Sequence, residues 1–428
     1  MNQIPRRVAI VGGIRIPFCR SNTFYSDLSN LAMMTTTING LSEKFNLKGL
    51  HIDEVVGGAV VTHSKNWNLT REAVIGSDLA TSTPGITMIQ ACGTSLQAAT
   101  GIAAKIAFGA IECGIAIGSD TTSDVPIVVS EKLSRRLIKF AARTGVSQRI
   151  KAFKGLTLRE LVPQPMAVVE PRTGLSMGQH CELMAQEWQV SREAQDQFTA
   201  DSHSKASAAY SEGFMDDMIV PCAGIYRDNN IREDIDLERL GALNNVFEKS
   251  TRGTLSAANS TPLTDGAASI LLASEDWANA HDLPIQAYLT NFQTSANNFV
   301  DGEGLLLAPT IAVSRMLDRS GLLLQDFDYY EIHEAFAAQV LATLKAWEDP
   351  EYCKKIGRDS PMGHVDLTKL NVKGSSLAIG HPFAATGARI IANLANLLYG
   401  QNDKRGLISI CTAGGMGVAA ILEGVRKA

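Results

Sequence analysis

Residues 371–400 read NVKGSSLAIGHPFAATGARIIANLANLLYG. A polar, glycine-containing segment runs into a Gly-His-Pro turn, and a helix rich in Ala, Ile and Leu then closes on Gly400. Residues 92–109, CGTSLQAATGIAAKIAFG, follow a similar plan: a cysteine, small hydroxylic residues, an Ala-rich helix and a closing Gly109. A short apolar strand follows each helix, GIAIGS near Ile115 and LISIC near Ile408, and strand-like IDEVVGGAVV and QDFDYYEIHEAF precede them. Each half therefore reads strand, intervening segment, small-residue helix, strand, which is the pattern of an internal duplication. A pseudo-two-fold arrangement would put Cys92 and His381 at equivalent points and aim both helix N-termini at one centre.

Further apolar runs, VAIVGG near Val8, SILLAS near Ile270 and AAILEG near Ile421, extend the strand set. Buried parallel strands flanked by Ala-rich helices predict an α/β layered fold. Residues 125–250 break the pattern, being more charged and less strand-like. They read as an insertion in the first half, and AANSTPLTDGAASILLA from Ala257 returns to the layered core. The expected division is 1–124 plus 251–296 for the first half, 125–250 for the inserted loop domain and 297–428 for the second half.

The bulk numbers fit this. The chain has 428 residues, 45% hydrophobic and 19% charged, enough for a large core. No apolar run reaches the roughly 18 residues of a bilayer span. MNQIPRRVAIVGG lacks the hydrophobic region and cleavage site of a signal peptide. Seven cysteines without CxxC pairs argue against a disulfide framework and a structural zinc site, and predict a reducing, cytoplasmic compartment. Net charge is −5 but uneven: residues 131–160 hold nine bases and two acids, a local +7. That asymmetry calls for an anionic partner or a membrane surface.

Four residues carry candidate chemistry. Cys92 sits where an apolar run meets a helix, and free N–H groups there stabilise a thiolate. The alternative is a small buried hydrophobe. His381, between Gly380 and Pro382, is a candidate base or a core histidine bonded to a carbonyl. Cys411 follows the strand LISI and precedes Ala-Gly-Gly. With an ordinary pKa near 8.5 it would exchange protons at cellular pH; otherwise it is another buried cysteine. His333 in EIHEAFAAQ offers an imidazole N–H to a developing oxyanion. Glu334 beside it is expected to be structural, because a carboxylate facing an enolate opposes its charge. None of the four has metal-ligand spacing, so no metal is expected.

With these segments and CTAGGMG from Cys411, the chain resembles the thiolase family over nearly its whole length, most closely the trifunctional-enzyme β-subunit branch of 3-ketoacyl-CoA thiolases. HEAF in place of the commoner NEAF points to that branch. Smaller departures are Ser375 and Ala384 around GHP, Ala413 in the C-x-G-G-G-x-G pattern, and His180–Cys181 in MGQHCE where MGxTAE is common. The resemblance implies a five-layer αβαβα core from two related halves, with a loop domain over the active site. It implies Cys92 as nucleophile, His381 as its base and an oxyanion donor, and His333 as a second donor. Cys411 is the implied acid/base, with the Ala413 backbone N–H completing another oxyanion site. Met177, Ala257, Thr261 and Phe336 are the implied substrate and coenzyme A contacts.

The implied reaction is CoA-dependent cleavage of a 3-ketoacyl-CoA in fatty acid β-oxidation, through an acyl-Cys92 intermediate. No resident cofactor is implied, coenzyme A being a substrate. An acetyl-CoA acetyltransferase with the same residues is the alternative, and a non-catalytic lipid carrier is the reading from a different class. A homodimer is the minimum assembly, with a hydratase/dehydrogenase α-subunit as a further partner. The basic segment 131–160 predicts two amphipathic helices around Thr144–Gly145. A solvated cover, a CoA phosphate site and peripheral membrane contact remain open for it, the last favoured because Leu, Ile and Phe alternate with the bases. Nucleic-acid binding is not expected, since aromatic interleaving is limited to Phe140 and Phe153.

Overall fold

The computed structural model describes residues 5–164 and 169–426. The short stretches 1–4, 165–168 and 427–428, at the edges of the expected halves and within the expected loop domain, lie outside the described residues. The first half contributes β1 (Val8–Arg15), β2 (Cys19–Arg20), α1 (Asn30–Lys44), β3 (Glu54–Gly58), α2 (Leu69–Ile75), β4 (Gly85–Thr87), α3 (Thr94–Phe108) and β5 (Cys113–Asp120). Helices alone follow among the described residues before the next strand: α4 (Glu131–Ala141), α5 (Val146–Lys151), α6 (Leu158–Leu161), α7 (Met177–Glu187), α8 (Arg192–Ser211) and α9 (Leu237–Gly241). The chain returns to the core with β6 (Thr264–Ser274), α10 (Glu275–Ala280), β7 (Ala287–Ala296), α11 (Ala308–Ser320), β8 (Tyr329–Ile332), α12 (Ala337–Glu348) and α13 (Pro350–Lys355). It ends with α14 (Ser376–Ile379), α15 (Thr386–Leu398), β9 (Arg405–Thr412) and β10 (Met416–Gly424).

Five layers follow from strand side-chain alternation. On β5, Ala116 faces one cluster, with Leu96, Ile102 and Ile106 of α3 and Ile390, Ile391 and Leu394 of α15. Ile115 and Ile117 face another, with Met34, Ile38 and Leu41 of α1 and Leu69 and Val74 of α2. On β10, Val418, Ala420 and Leu422 join the α3/α15 cluster. Ala419 and Ile421 join a third, with Val313 and Met316 of α11 and Val340 and Trp347 of α12. The layers are thus α1/α2, strands, α3/α15, strands, α11/α12. Strands buried on both faces are apolar throughout, which is why they read as continuous hydrophobic runs.

Strand direction differs from expectation. The order is β4-β3-β5-β6-β1-β7-β10-β9-β8, with β2 on β6. Among the paired strands of the described residues, β3–β4, β3–β5 and β8–β9 are parallel. The central pairs β5–β6, β6–β1, β1–β7, β7–β10 and β10–β9 are antiparallel. A fully buried apolar run carries no information about direction, so the sheet is mixed where parallel strands were expected. β7, which the sequence division puts at the end of the first half, pairs with β10 from Ala287 to Ala296 and with β1 only at Ala9 and Ile10.

The duplication is visible where the central helices start. A 3-10 turn, Ala91–Gly93, leads into α3 at Thr94, and another, Phe383–Ala385, leads into α15 at Thr386. By this register Ala384, not His381, is the counterpart of Cys92; His381 lies three residues earlier, on the Gly380–Pro382 turn. The two helix starts touch. The Ser95 hydroxyl donates to the Ala384 carbonyl at 2.5 Å and accepts the Ala388 N–H at 2.8 Å. A Cβ on Gly387 would meet the Leu96 nitrogen at 2.4 Å, so only glycine permits this approach.

Residues between β5 and β6 are tied to the core by buried polar contacts. Arg15 of β1 makes a two-pronged bond to Asp228 at 2.6 and 2.7 Å, and Asp228 also accepts from the Phe18 N–H and the Tyr210 hydroxyl. Such a pair is far costlier to break than a surface salt bridge.

Candidate active site

Cys92 occupies the 3-10 turn ahead of α3, directly after Ala91, whose φ is +45°. A left-handed alanine is strained by roughly 1–2 kcal/mol, and the turn aims Cys92 toward the second half. There its sulfur lies 3.0 Å from His381 Nε2. His381 is positioned by three features. Its backbone N–H donates to Thr264 Oγ1 at 2.7 Å, and Nδ1 is 2.6 Å from Thr386 Oγ1. Gly380 before it has φ +112°, and a Cβ there would meet Thr264 at 2.8 Å.

His333 follows β8, and its backbone N–H donates to Ser409 of β9. Its ring centroid is 4.2 Å from that of His381. Nδ1 is 2.9 Å from Ser376 Oγ, while Nε2 is buried without a hydrogen-bond partner. Ligand atoms of Cys92, His333 and His381 lie within 4.8 Å of one another. A soft cation could use that spacing, which the linear positions 92, 333 and 381 do not suggest. The electrostatics favour an anion instead, because two helix N-termini converge here and the positive charge of Arg389 acts on both rings.

Cys411 is buried one residue before the end of β9, and Ala413 starts the turn to β10. The backbone N–H groups of Ala413 and of Cys92 itself both bear on the Cys92 sulfur. Glu170 accepts the Gly414 N–H at 2.8 Å, so the inserted segment fixes this turn. Cys411 shares an apolar cluster with Phe336 and Cys181, and Met177 packs against it. Thr261 donates its N–H and hydroxyl to the Ala335 carbonyl, both at 3.1 Å, beside the HEAF segment. Ala257 is exposed. Glu334 is turned into structure, accepting from Ser202, from Asn371 at 2.7 Å and from the Leu377 N–H. Asn371 also bonds both backbone groups of Ile332, pinning the HEAF segment to the segment that leads to GHP.

Burial changes the electrostatics expected from sequence. It pushes the Cys92 thiol up to about 12, opposed by the Ala413 N–H, with the charge of Asp120 adding to the rise. Burial raises Cys411 well above its ordinary value, and its repulsion with an ionised Cys92 adds to the rise. A thiolate held by the helix dipole at rest, and a Cys411 of ordinary pKa, are therefore both corrected: desolvation outweighs the dipole. His381 is pushed down to about 3 by burial and by Arg389, and His333 is lowered by burial, His381 and Arg389. The resting site is a neutral thiol beside neutral imidazoles. This has a kinetic signature. A lowered pKa keeps His381 unprotonated as pH falls, whereas an ordinary imidazole would be about 90% protonated at pH 5.5. We expect kcat/KM for any reaction that uses His381 as base to stay level from pH 8 to 5.5. An acid limb centred near 6.5 would contradict the burial effect.

Comparison with known proteins agrees with this geometry. Residues 8–276 match the family model for the thiolase N-terminal domain, and residues 283–424 that for the C-terminal domain. The chain belongs to the thiolase family. It is 39% identical over 424 residues to a 3-ketoacyl-CoA thiolase of Alteromonas mediterranea, covering 97% of each chain, and equally so to one of Yersinia pestis. An acetyl-CoA acetyltransferase of Bacillus anthracis superposes with TM-score 0.83 at 25% identity, over 99% of this chain and all of that one. Human mitochondrial 3-ketoacyl-CoA thiolase superposes with TM-score 0.81 at 24% identity over 99% of this chain and all of that one, a likeness of fold.

Within the thiolase frame, sequence reasoning missed Thr264, Thr386, Ser376 and Arg389, the side chains that orient the two histidines. Their signal was faint. Hydroxyls and an arginine inside small-residue segments look like ordinary helix-start and surface residues until burial is known. Cys181 was noted only as a departure from MGxTAE, yet it brings a third thiol into the Cys411 cluster.

Proposed function

We propose that this protein is a 3-ketoacyl-CoA thiolase that cleaves 3-ketoacyl-CoA with CoA to acetyl-CoA and a shortened acyl-CoA, in fatty acid β-oxidation. The observation that carries the reading is the 3.0 Å contact between Cys92 Sγ and His381 Nε2 with the unpartnered His333 Nε2 beside them. Full-length relatives named 3-ketoacyl-CoA thiolase support the same activity.

In this reading the Cys92 sulfur attacks the 3-carbonyl carbon as its proton passes to His381. The C2–C3 bond then breaks, leaving the acyl group on Cys92 and an acetyl-CoA enolate. His333 and His381 donate to the enolate oxygen, and Cys411 protonates its carbon. CoA enters, gives its thiol proton to Cys411 and attacks the acyl carbonyl, whose oxygen is held by the Cys92 and Ala413 N–H groups. Cys92 leaves and recovers its proton from His381. Resting neutrality suits this route, because each proton starts on the group that must give it. Met177 and Phe336 would line the acyl channel, and Ala257 and Thr261 the pantetheine side. CoA is a substrate here; structures of relatives such as the human enzyme are described in complex with CoA.

The test is CoA-dependent thiolysis of 3-ketoacyl-CoAs of four to sixteen carbons. Turnover of the longer substrates supports the β-oxidation assignment. Activity confined to acetoacetyl-CoA would replace it with an acetyltransferase, and none at any length would favour a lipid carrier.

The same proposal includes a homodimer formed along β4. That strand is one edge of the sheet, and Ile86 on it and Ile89 just after it are exposed. It also includes a division of labour in which the core runs over 1–124, 251–296 and 297–428 while 125–250 covers the site. The activity is placed in the reducing cytoplasm, where Cys92 stays a thiol. No helix among the described residues is long and apolar enough to cross a membrane.

The basic segment is read as a peripheral membrane contact, adjacent to a hydratase/dehydrogenase partner. Supporting this, α4 and α5 flank Thr144–Gly145 as a hairpin with Ile138, Val146 and Ile150 exposed. Arg136 closes the hairpin onto the carbonyls of Ala152, Lys154 and Gly155, and Phe140 packs on Phe153. Arg136 is therefore part of the hairpin's structure, leaving Arg135 and Lys139 as the better probes. Arg135→Gln with Lys139→Gln is expected to weaken binding to anionic vesicles about thirtyfold, read by co-sedimentation, at about 1 kcal/mol per base. Unchanged binding would remove the membrane reading.

A further inference from the structure

Two histidines stand side by side in this site, and the proposed chemistry asks opposite things of them. His381 must present a bare Nε2 to the Cys92 thiol. His333 must present an N–H to the enolate oxygen. A neutral imidazole has one of each, and which nitrogen holds the hydrogen is set by the partner of the other. For His381 that partner is the Thr386 hydroxyl, 2.6 Å from Nδ1; it can accept Nδ1–H and leave Nε2 bare.

For His333 the partner is Ser376 Oγ, at 2.9 Å from Nδ1. Ser376 has a second neighbour. The Arg389 guanidinium reaches it through Nη2 at 2.7 Å and reaches Ser375 Oγ through Nη1 at 3.1 Å. Arginine can only donate, so one acceptor position on Ser376 is taken by Arg389. The Ser376 hydrogen then needs an acceptor. Ser376 is fully buried, so a wasted O–H would be costly. His333 Nδ1 is the acceptor at hand. Accepting there leaves the ring hydrogen on Nε2, the buried atom without a partner beside Cys92 and His381. Arg389 is itself buried, on α15, with Glu331 and Glu334 as the countercharges that act on it.

We infer that Ser376 and Arg389 are positioning residues that lock His333 in the Nε2–H tautomer, so that it meets the enolate as a donor. Without the lock, the other tautomer would turn a lone pair toward a developing negative charge. The inference rests on the reading of His333 as that donor and adds how its hydrogen is held. It also gives a role to a buried arginine whose guanidinium bonds the Ser375 and Ser376 hydroxyls.

The test combines two measurements on the full-length enzyme. In the first, 15N-histidine labelling of the wild type reports the tautomer directly, with His333 assigned by the signals lost in His333→Asn. An Nε2–H signature is expected, and an Nδ1–H signature would overturn the lock. This needs no altered lock residue and stands even if a variant folds poorly. The second is a double-mutant cycle. Ser376→Ala is expected to lower kcat about tenfold, the low end for loss of an orienting partner, with KM within about twofold. Added to His333→Asn, the same change should cost nothing further, because its effect passes through the imidazole. Equal losses in both backgrounds would mark Ser376 as merely structural and overturn the proposal. So would full activity of Ser376→Ala beside an impaired His333→Asn. A fully active His333→Asn is a distinct result, removing the underlying reading of His333 itself.

Discussion

Cys92→Ala is expected to reduce thiolysis by at least about 10⁴-fold, the scale on which removal of a covalent nucleophile acts. Direct attack of CoA on the ketone would be the route left, and it lacks the sulfur that lies 3.0 Å from His381 Nε2. The fold should tolerate the change. Cys92 is a small side chain in a 3-10 turn, and Ser95, which ties α3 to α15, is untouched. Intact-mass measurement separates loss of chemistry from loss of structure. Wild-type protein incubated with a 3-ketoacyl-CoA and no free CoA should gain one acyl group, and the variant should gain none. An acyl adduct of the same mass on Cys92→Ala would move the nucleophile elsewhere, with Cys411, which interacts with Cys92, the first candidate.

His381→Asn is expected to have the second largest effect, a loss of about 10³–10⁴ in kcat with little change in KM. General-base help accounts for about 10²–10⁴. A lost oxyanion donor contributes about 10²–10³. The two do not multiply in full, because both act in the same carbonyl-addition step. Single-turnover acylation of Cys92 should slow in parallel with kcat, since the proton has no acceptor when the sulfur attacks. A decrease smaller than tenfold would mean that Cys92 is ionised at rest, contrary to the effect of its burial.

Much of this was legible in the linear sequence. HEAF, GHP and CTAGGMG each place a candidate side chain in a short motif, and the fold brings His333 and His381 beside Cys92, with Cys411 close enough to interact with it. The buried strands were legible too, because an α/β core filled from both faces demands apolar runs. Other features were not. The direction of β6, β1 and β10 could not be read from runs apolar on both faces, and β7, with its exposed and half-buried polar residues, gave no such run at all. Nor could the register that makes Ala384, rather than His381, the counterpart of Cys92, because it depends on two 3-10 turns of three residues each.

What the sequence by itself determined is the inventory: two duplicated strand–helix–strand halves, a cysteine before one central helix, a histidine before the other, and a more charged stretch between them. What only the tertiary structure decided is the state of those groups. Residues 92, 333, 381 and 411 come from four separate segments, and their meeting depends on α3 and α15 packing start to start across Gly387. Once enclosed there, desolvation sets the protonation of the thiols and imidazoles, and neighbouring hydroxyls set where each ring hydrogen sits. Local sequence carries residue type and periodicity; burial and hydrogen-bond direction arise from tertiary contacts, over separations from 5 residues for His381 and Thr386 to 289 for His381 and Cys92.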